Sequence, residues 1–197
     1  MNSTPSKLEK HVSLSLPAWF DAEEMRFEFS PGDLDGAMRL AIALSRANVT
    51  HQTGGPFGAL VVQLETGRVI SAAVNCVEAQ NCSSAHAEIM ALSLAQQTLK
   101  TWNLSAKHQD VDLTLITSCE PCAMCWGAIP WSGVKKVVCG ATKDDAEAAG
   151  FDEGARPATW IKDLNDRGID VLTGVLREQA AKVLKDYAES GQTIYNP

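Results

Sequence analysis

A layered α/β domain on a mostly parallel or mixed sheet is the fold class this sequence predicts. Short apolar segments of strand character alternate with helix-length segments along most of the chain. The 197 residues, 45% hydrophobic and 21% charged, suffice for one well-cored domain with extra length at its ends. No internal repeat or low-complexity tract interrupts that pattern.

The elements follow in order. Residues 1–30 mix Ser, Pro and charge and read as an N-terminal extension, which leaves 31–197 as the folded domain. Ser30-Pro31-Gly32-Asp33 is a turn signal leading into a helix, along which Leu34, Met38, Ala41, Ile42 and Leu44 roughly keep helical spacing as far as Ala47. Gly54-Gly55-Pro56 breaks the chain. Two strands, 58–64 and 68–75, then flank a short turn at Glu65-Thr66-Gly67. Good helix formers run from His86 to about Lys100, and 111–117 is an apolar strand. Pro121 suits the first turn of another helix, where its missing N–H costs nothing. Residues 134–139 and 169–172 are further strands. Leu176, Ala180, Val183, Leu184 and Tyr187 mark a last amphipathic helix.

Composition narrows the function. Asp and Glu outnumber Lys and Arg by 24 to 17, giving a net charge of −7, and no basic run is present. Proteins that wrap nucleic acid usually present a basic surface, so this balance weighs against a tRNA or DNA partner. No apolar run approaches a membrane span and the N-terminus lacks a signal-peptide core, so no membrane partner and a cytoplasmic location are expected. Six cysteines crowd between positions 76 and 139. In a reducing compartment such crowding points to metal binding or catalysis rather than to disulfide staples.

Two motifs carry the chemistry. His86-Ala87-Glu88 opens one expected helix, and Pro121-Cys122-Ala123-Met124-Cys125 opens another. Cys122 and Cys125 are three apart, which puts both thiols on one side, and a helix N-terminus favours thiolate over thiol. Two helix starts at one sheet edge bring His86, Cys122 and Cys125 together with Glu88 beside them. Three protein ligands leave a zinc position open, as a catalytic site requires. A lone His is more often a surface or capping residue, and a lone C-x-x-C a redox pair or half a ribbon. Neither alternative explains both motifs together with a Glu in phase. Cys119 ends a strand ahead of Pro121 and is expected to point elsewhere. Cys76, Cys82 and Cys139 are most simply small buried or loop residues.

With both motifs placed, H-x-E … P-C-x-x-C resembles the signature of zinc-dependent nucleobase deaminases. The chain is similar to the cytidine-deaminase-like superfamily and, within it, to the small bacterial-type guanine deaminases, from about Gly54 to Glu153 and more weakly beyond. Gly54-Gly55-Pro56-Phe57-Gly58-Ala59 resembles that family's loop into the first strand. Ser84-Ala85-His86-Ala87-Glu88 and Thr117-Ser118-Cys119-Glu120-Pro121-Cys122 follow its zinc motifs, with Ser84 where Thr is common. The segment from Asp145 to Glu153 differs from what tRNA adenosine deaminases usually carry there.

The resemblance implies a three-layer α/β/α sandwich around a central mixed sheet of about five strands. It implies one Zn²⁺ per chain on His86, Cys122 and Cys125, with water or hydroxide as fourth ligand. Glu88 would shuttle protons while guanine is converted to xanthine and ammonia. Asn75 would bind the base, and Glu153, where the family usually has Asp, would accept its N–H donors. Phe57 and Trp131 would pack against the ring, although core packing is the commoner role of an aromatic. The backbone near Ala87 would help orient the ring, and Tyr195 in the C-terminal tail would close over a site. The partner is a small nucleobase, and a homodimer is expected.

Four alternatives stay open. The same chemistry could act on tRNA adenosine or cytosine, or on a guanine-like aminotriazine that presents a similar edge. A zinc-stabilised interaction protein without catalysis is the remaining class, though it would have no need of Glu88.

Overall fold

The computed structural model describes residues 10–20, 28–105, 112–194 and 196. Seven helices and five strands are assigned among them. They run α1 (Leu34–Thr50), β1 (Gly58–Gln63), β2 (Arg68–Val74), α2 (Val77–Gln80), α3 (Ala87–Leu99), β3 (Thr114–Cys119), α4 (Ala123–Ser132), β4 (Lys136–Ala141), α5 (Lys143–Ala148), α6 (Trp160–Asn165), β5 (Asp170–Leu172) and α7 (Arg177–Ser190). The five strands form one sheet in the order β2-β1-β3-β4-β5. β1 pairs antiparallel with both β2 and β3, whereas β3/β4 and β4/β5 are parallel. The expected mixed sheet is therefore present, with β1 running opposite to the other four strands.

Every residue of β1 and β3 is buried. Helices cover both faces, which is why these strands read as continuous apolar runs rather than alternating ones. α1 lies on β1 and β3 and meets α7, which covers β4, on one side; α3 packs on β1 and β2 and meets α4 on the other. Gly58 permits the closest approach: a Cβ there would sit 2.4 Å from the Ala41 carbonyl oxygen. That contact lets α1 lie directly over the start of β1.

Several boundaries differ from the sequence reading. β3 runs from Thr114 to Cys119 rather than 111–117, because its register follows pairing with β4, Thr114 opposite Lys136. Pro121 lies ahead of α4 rather than in its first turn, since Cys122 is extended and caps the helix that begins at Ala123. The short helices α2, α5 and α6 carry too few turns for a periodic signal, although Thr142 and Asp145 form a capping box that announces α5. Of the extension, residues 10–20 lie on the domain, with Leu14, Leu16, Trp19 and Phe20 packed against the core. None of the helices among the described residues is long and apolar enough to cross a membrane.

The consequence for function lies at one edge of the sheet. Because β1 and β2 are antiparallel, the chain segments before β1 and after β2 emerge together. The segments after β3 and β4 emerge at the same edge. Four connections thus converge at the carboxyl ends of the parallel pair, where α/β sheets commonly hold ligands.

Candidate metal centre and ring-binding cavity

A cavity of about 320 Å³ opens at that edge. Its walls include Phe57, Asn75, His86, Glu88, Cys122 and Glu153. They come from five different parts of the fold, His86 and Glu88 sharing the start of α3. His86 caps α3 in extended backbone (φ −68°, ψ 153°), which turns its ring away from the helix. Glu88 sits in the first turn of α3, 6% exposed. Cys122 caps α4 in the same extended manner (φ −63°, ψ 174°), and Cys125 lies inside the helix, fully buried.

His86, Cys122 and Cys125 offer ligand atoms that all lie within 4.8 Å of one another, the single such group of three among the described residues. His86 Nδ1 stands 3.5 Å from Cys122 Sγ. The thiols behave as a pair that shares protons. The Cys125 hydrogen bond, aided by His86, pulls Cys122 down to about 4, against burial, while that same bond and burial push Cys125 well up. A divalent cation displaces the one remaining proton readily. Burial lowers the His86 pKa, but the Cys122 bond and the negative charge of Glu88, Cys122 and Glu153 together outweigh it and raise it. One imidazole and two thiols with a neighbouring open cavity suit tetrahedral Zn²⁺ with one position free. Zinc is the cofactor this site takes.

Cys119 ends β3 and is 3% exposed, with its thiol directed at the Thr142 carbonyl oxygen 3.6 Å away. It stands outside the ligand trio. A fourth thiol that would close the site is therefore absent from it among the described residues.

The two carboxylates share an apolar, negatively charged setting. Burial, then the Cys122 thiolate, pushes Glu88 up to about 7. Burial, then Cys122 and Glu88, pushes Glu153 up to about 8, with Arg156 pulling the other way. A bound Zn²⁺ would cancel the Cys122 thiolate charge that helps raise both, and so would favour their ionised forms. Glu153 is 6% exposed and its backbone carbonyl accepts from Ala123 N at 2.9 Å, which ties its loop to the start of α4. Arg156 reinforces that tie: its guanidinium donates to Glu120 Oε2 at 2.7 Å and to the Pro121 carbonyl at 2.9 Å. The sequence offered no local signal for this Glu120–Arg156 pair.

Asn75 follows β2, and its Oδ1 accepts from Val77 N at 3.3 Å. That bond turns Nδ2 away from α2, and no described residue accepts from it. Phe57 meets Phe151 edge-on, ring centroids 4.9 Å apart, so it both packs and lines the wall. Trp131 is placed elsewhere: it is 83% exposed near the end of α4 and does not line the cavity. Ala87 is fully buried and also absent from the lining. Tyr195 lies outside the described residues, although Thr193, just before it, reaches the cavity wall. Glu78, Ser83 and Asp152 line the cavity without having been expected from the sequence.

Residues 33–141 match the cytidine and deoxycytidylate deaminase zinc-binding region. A solved guanine deaminase from Nitrosomonas europaea is 42% identical, covers 93% of this chain and 99% of its own, and superposes with a TM-score of 0.86. The guanine deaminase of Bacillus subtilis is 40% identical over 116 residues, which span 59% of this chain and 69% of that protein. A tRNA-specific adenosine deaminase of Buchnera aphidicola is 33% identical over 149 residues, 75% of this chain and 90% of its own. With the ligand trio, the carboxylate beside it and the five-stranded mixed sheet in place, the chain belongs to the cytidine and deoxycytidylate deaminase family of zinc-binding deaminases.

Proposed function

We propose that this protein is a guanine deaminase that hydrolyses the free base to xanthine and ammonia. The observation that carries the reading is the cavity itself. It combines the zinc ligands and Glu88 with a second buried carboxylate, Glu153, and with the Asn75 amide. Guanine presents its amino group and the adjacent ring N1–H along one edge, and a buried carboxylate accepts from such donors. A site built that way rejects rings that lack them, because its polar groups would be left unpaired. Likeness to the Nitrosomonas europaea guanine deaminase over nearly the whole chain supports the same assignment.

His86, Cys122 and Cys125 hold the zinc, whose chemistry is to lower the pKa of water so that hydroxide is available at neutral pH. Glu88 would take the proton that water releases and deliver it to a ring nitrogen as C2 is attacked, then take the proton of the new C2 hydroxyl and deliver it to the amine, which leaves as ammonia as the C2–N bond breaks. A carboxyl raised toward neutrality by burial is suited to both giving and taking a proton. Glu153 accepts from the guanine edge and holds the ring against Phe57, while Asn75 Nδ2 donates to a ring acceptor.

Ammonia release measured on guanine, cytosine, adenosine in RNA and an aminotriazine, with zinc content determined on the same sample, tests this assignment. Guanine is expected to react and the others to react far less. Inert guanine beside another active ring overturns the substrate and leaves the zinc chemistry intact. Glu153→Gln is expected to reduce guanine turnover by about tenfold or more, the loss of a charge-assisted hydrogen bond, with zinc content unchanged. Unchanged turnover would remove Glu153 from the site.

We place the protein in the cytoplasm, where its clustered thiols stay reduced. We also assign it a homodimer through α4, which exposes Trp131 at 83% and Met124 at 40%. A monomeric mass in sedimentation would rule that out.

A further inference from the structure

A chain of three side chains runs from the N-terminal segment into the cavity wall. Trp19 Nε1 donates to Thr53 Oγ1 at 2.8 Å, and Thr53 Oγ1 donates to Asn48 Oδ1 at 2.7 Å. Asn48 Nδ2 then donates to two backbone carbonyls, Gly55 and Asn75, each at 2.9 Å. Asn48 is fully buried on α1, so its amide has no water to exchange with.

The direction of the chain is fixed by donor chemistry. An indole N–H can only donate, so the Thr53 oxygen must accept from it. A hydroxyl has one hydrogen, and here its shortest acceptor is Asn48 Oδ1, the Asn48 carbonyl lying farther at 3.5 Å. The Asn48 oxygen is thereby committed to Thr53, and its NH₂ must face the two carbonyls. The reversed amide would set an oxygen against two oxygens. Trp19 is itself held by stacking on His51, ring centroids 4.9 Å apart and planes within 10°.

The two carbonyls belong to residues that line the cavity. Gly54, next to Gly55, lies so close that a Cβ on it would be 2.2 Å from the Asn75 carbonyl oxygen. The Gly54-Gly55 loop and the end of β2 are thus joined through the Asn48 amide, beside the backbone bond from Asn75 N to the Phe57 carbonyl at 3.1 Å. Residues 10–20, which supply Trp19, lie outside the segment that matches the deaminase family.

We propose that Trp19 and Thr53 are positioning residues for guanine binding. Acting through the Asn48 amide, they fix where Asn75 and the Gly55 loop meet the ring. This rests on the reading of Asn75 as a ring-binding residue. The N-terminal segment thus serves the site from outside it, with no contact to substrate.

The test uses the full-length, zinc-loaded chain. Thr53→Val keeps the shape and removes the hydroxyl, Thr53→Ser restores the hydroxyl, and Trp19→Phe keeps a ring over His51 without the N–H. Asn75→Ala is measured in parallel. For each, KM and kcat on guanine, the Kd of 8-azaguanine, zinc content and Tm are determined. Thr53→Val and Trp19→Phe are expected to raise KM and Kd about five- to tenfold, in line with one misplaced hydrogen bond, with kcat within about twofold. Thr53→Ser is expected to behave as the wild type, and zinc content to stay constant throughout. If Asn75→Ala raises KM but Thr53→Val and Trp19→Phe leave it unchanged, the relay is refuted while the Asn75 assignment survives. A fall in Tm without a change in KM or Kd refutes it equally, since that marks a link that only stabilises. If Asn75→Ala binds 8-azaguanine like the wild type, the Asn75 assignment falls and the relay's role in binding falls with it.

Discussion

Arg156→Met is expected to weaken the fold sharply, through a charge stranded beside the metal loop. The Arg156 and Glu120 side chains are only 4% and 11% exposed, and they meet at 2.7 Å. The guanidinium also lies 4.2 Å above the Trp160 ring. Methionine preserves much of the stem's volume and its contact with Trp160, so packing is largely kept. What disappears is the counter-charge, together with the bond to the Pro121 carbonyl. Glu120 keeps a single backbone donor, Lys143 N at 3.1 Å. Removing one member of a buried pair costs about 3–5 kcal/mol, because the partner's charge is left uncompensated. With a urea m-value of about 3 kcal/mol per molar, the unfolding midpoint of the zinc-loaded protein should fall by about 1–2 M. Glu120→Gln neutralises the stranded group, so the double variant should recover about 2 kcal/mol relative to the sum of the two single variants. A loss below about 1 kcal/mol for Arg156→Met, or strict additivity in the cycle, would refute the argument that desolvated charge dominates here.

Other expectations concern the proton shuttle and the ion pair at the start of α5. Glu88→Gln keeps the shape of the side chain and removes its basicity; guanine turnover should drop by at least ~10²–10⁴-fold while zinc analysis still finds metal. Retained turnover would assign the proton to another group. Asp145 is held down at about 2, from the usual 3.8, chiefly by its hydrogen bond from Arg177 and further by Thr142. A depressed carboxyl contributes stability that is fully present above its unfolded pKa and is lost as pH falls through the folded one. Arg177 is half exposed, so the contribution is discounted for screening to about 1 kcal/mol. The stability advantage of the wild type over Asp145→Asn should therefore shrink between about pH 4 and pH 2, as read by unfolding at each pH. An advantage that persists at the acid end would contradict the ion-pair origin.

What could be read in advance was whatever the chain encodes locally. His86, Glu88, Cys122 and Cys125 were legible because each motif sits within one helix start, where spacing alone decides which side chains share a side. The order of elements was legible for the same reason. Pairing and register were not: the start of β3 is set by β4, some twenty residues on, and short helices such as α2 have no periodicity to display. The Arg156–Glu120 and Trp19–Thr53–Asn48 contacts join residues about 34 or more positions apart at their widest steps, so no local pattern announces them. Trp131 illustrates the opposite limit. An aromatic near a metal motif invites a ring-stacking role, yet the turn of α4 carries it to the surface.

Charge around the cavity bears on which substrates can enter it. Zn²⁺ with two thiolates is locally neutral, so the metal does not offset the carboxylates nearby. Of the acidic residues in the wall, Glu120 is matched by Arg156. Glu78, Glu88, Asp152 and Glu153 remain, with no lysine or arginine among the lining residues. A phosphate-bearing nucleotide would bring negative charge toward that wall, on a protein whose net charge is already −7. At an effective dielectric of about 20, a single like-charge contact at 4 Å costs about 4 kcal/mol before screening. A neutral base meets no such cost, and its N–H donors find acceptors in the very groups that repel phosphate. The acidic wall therefore works as a filter as well as a binding surface. Raising ionic strength should thus relieve inhibition of nucleotide entry while leaving the KM for guanine nearly unchanged, and a guanine KM that followed salt as steeply as nucleotide binding would sink the idea.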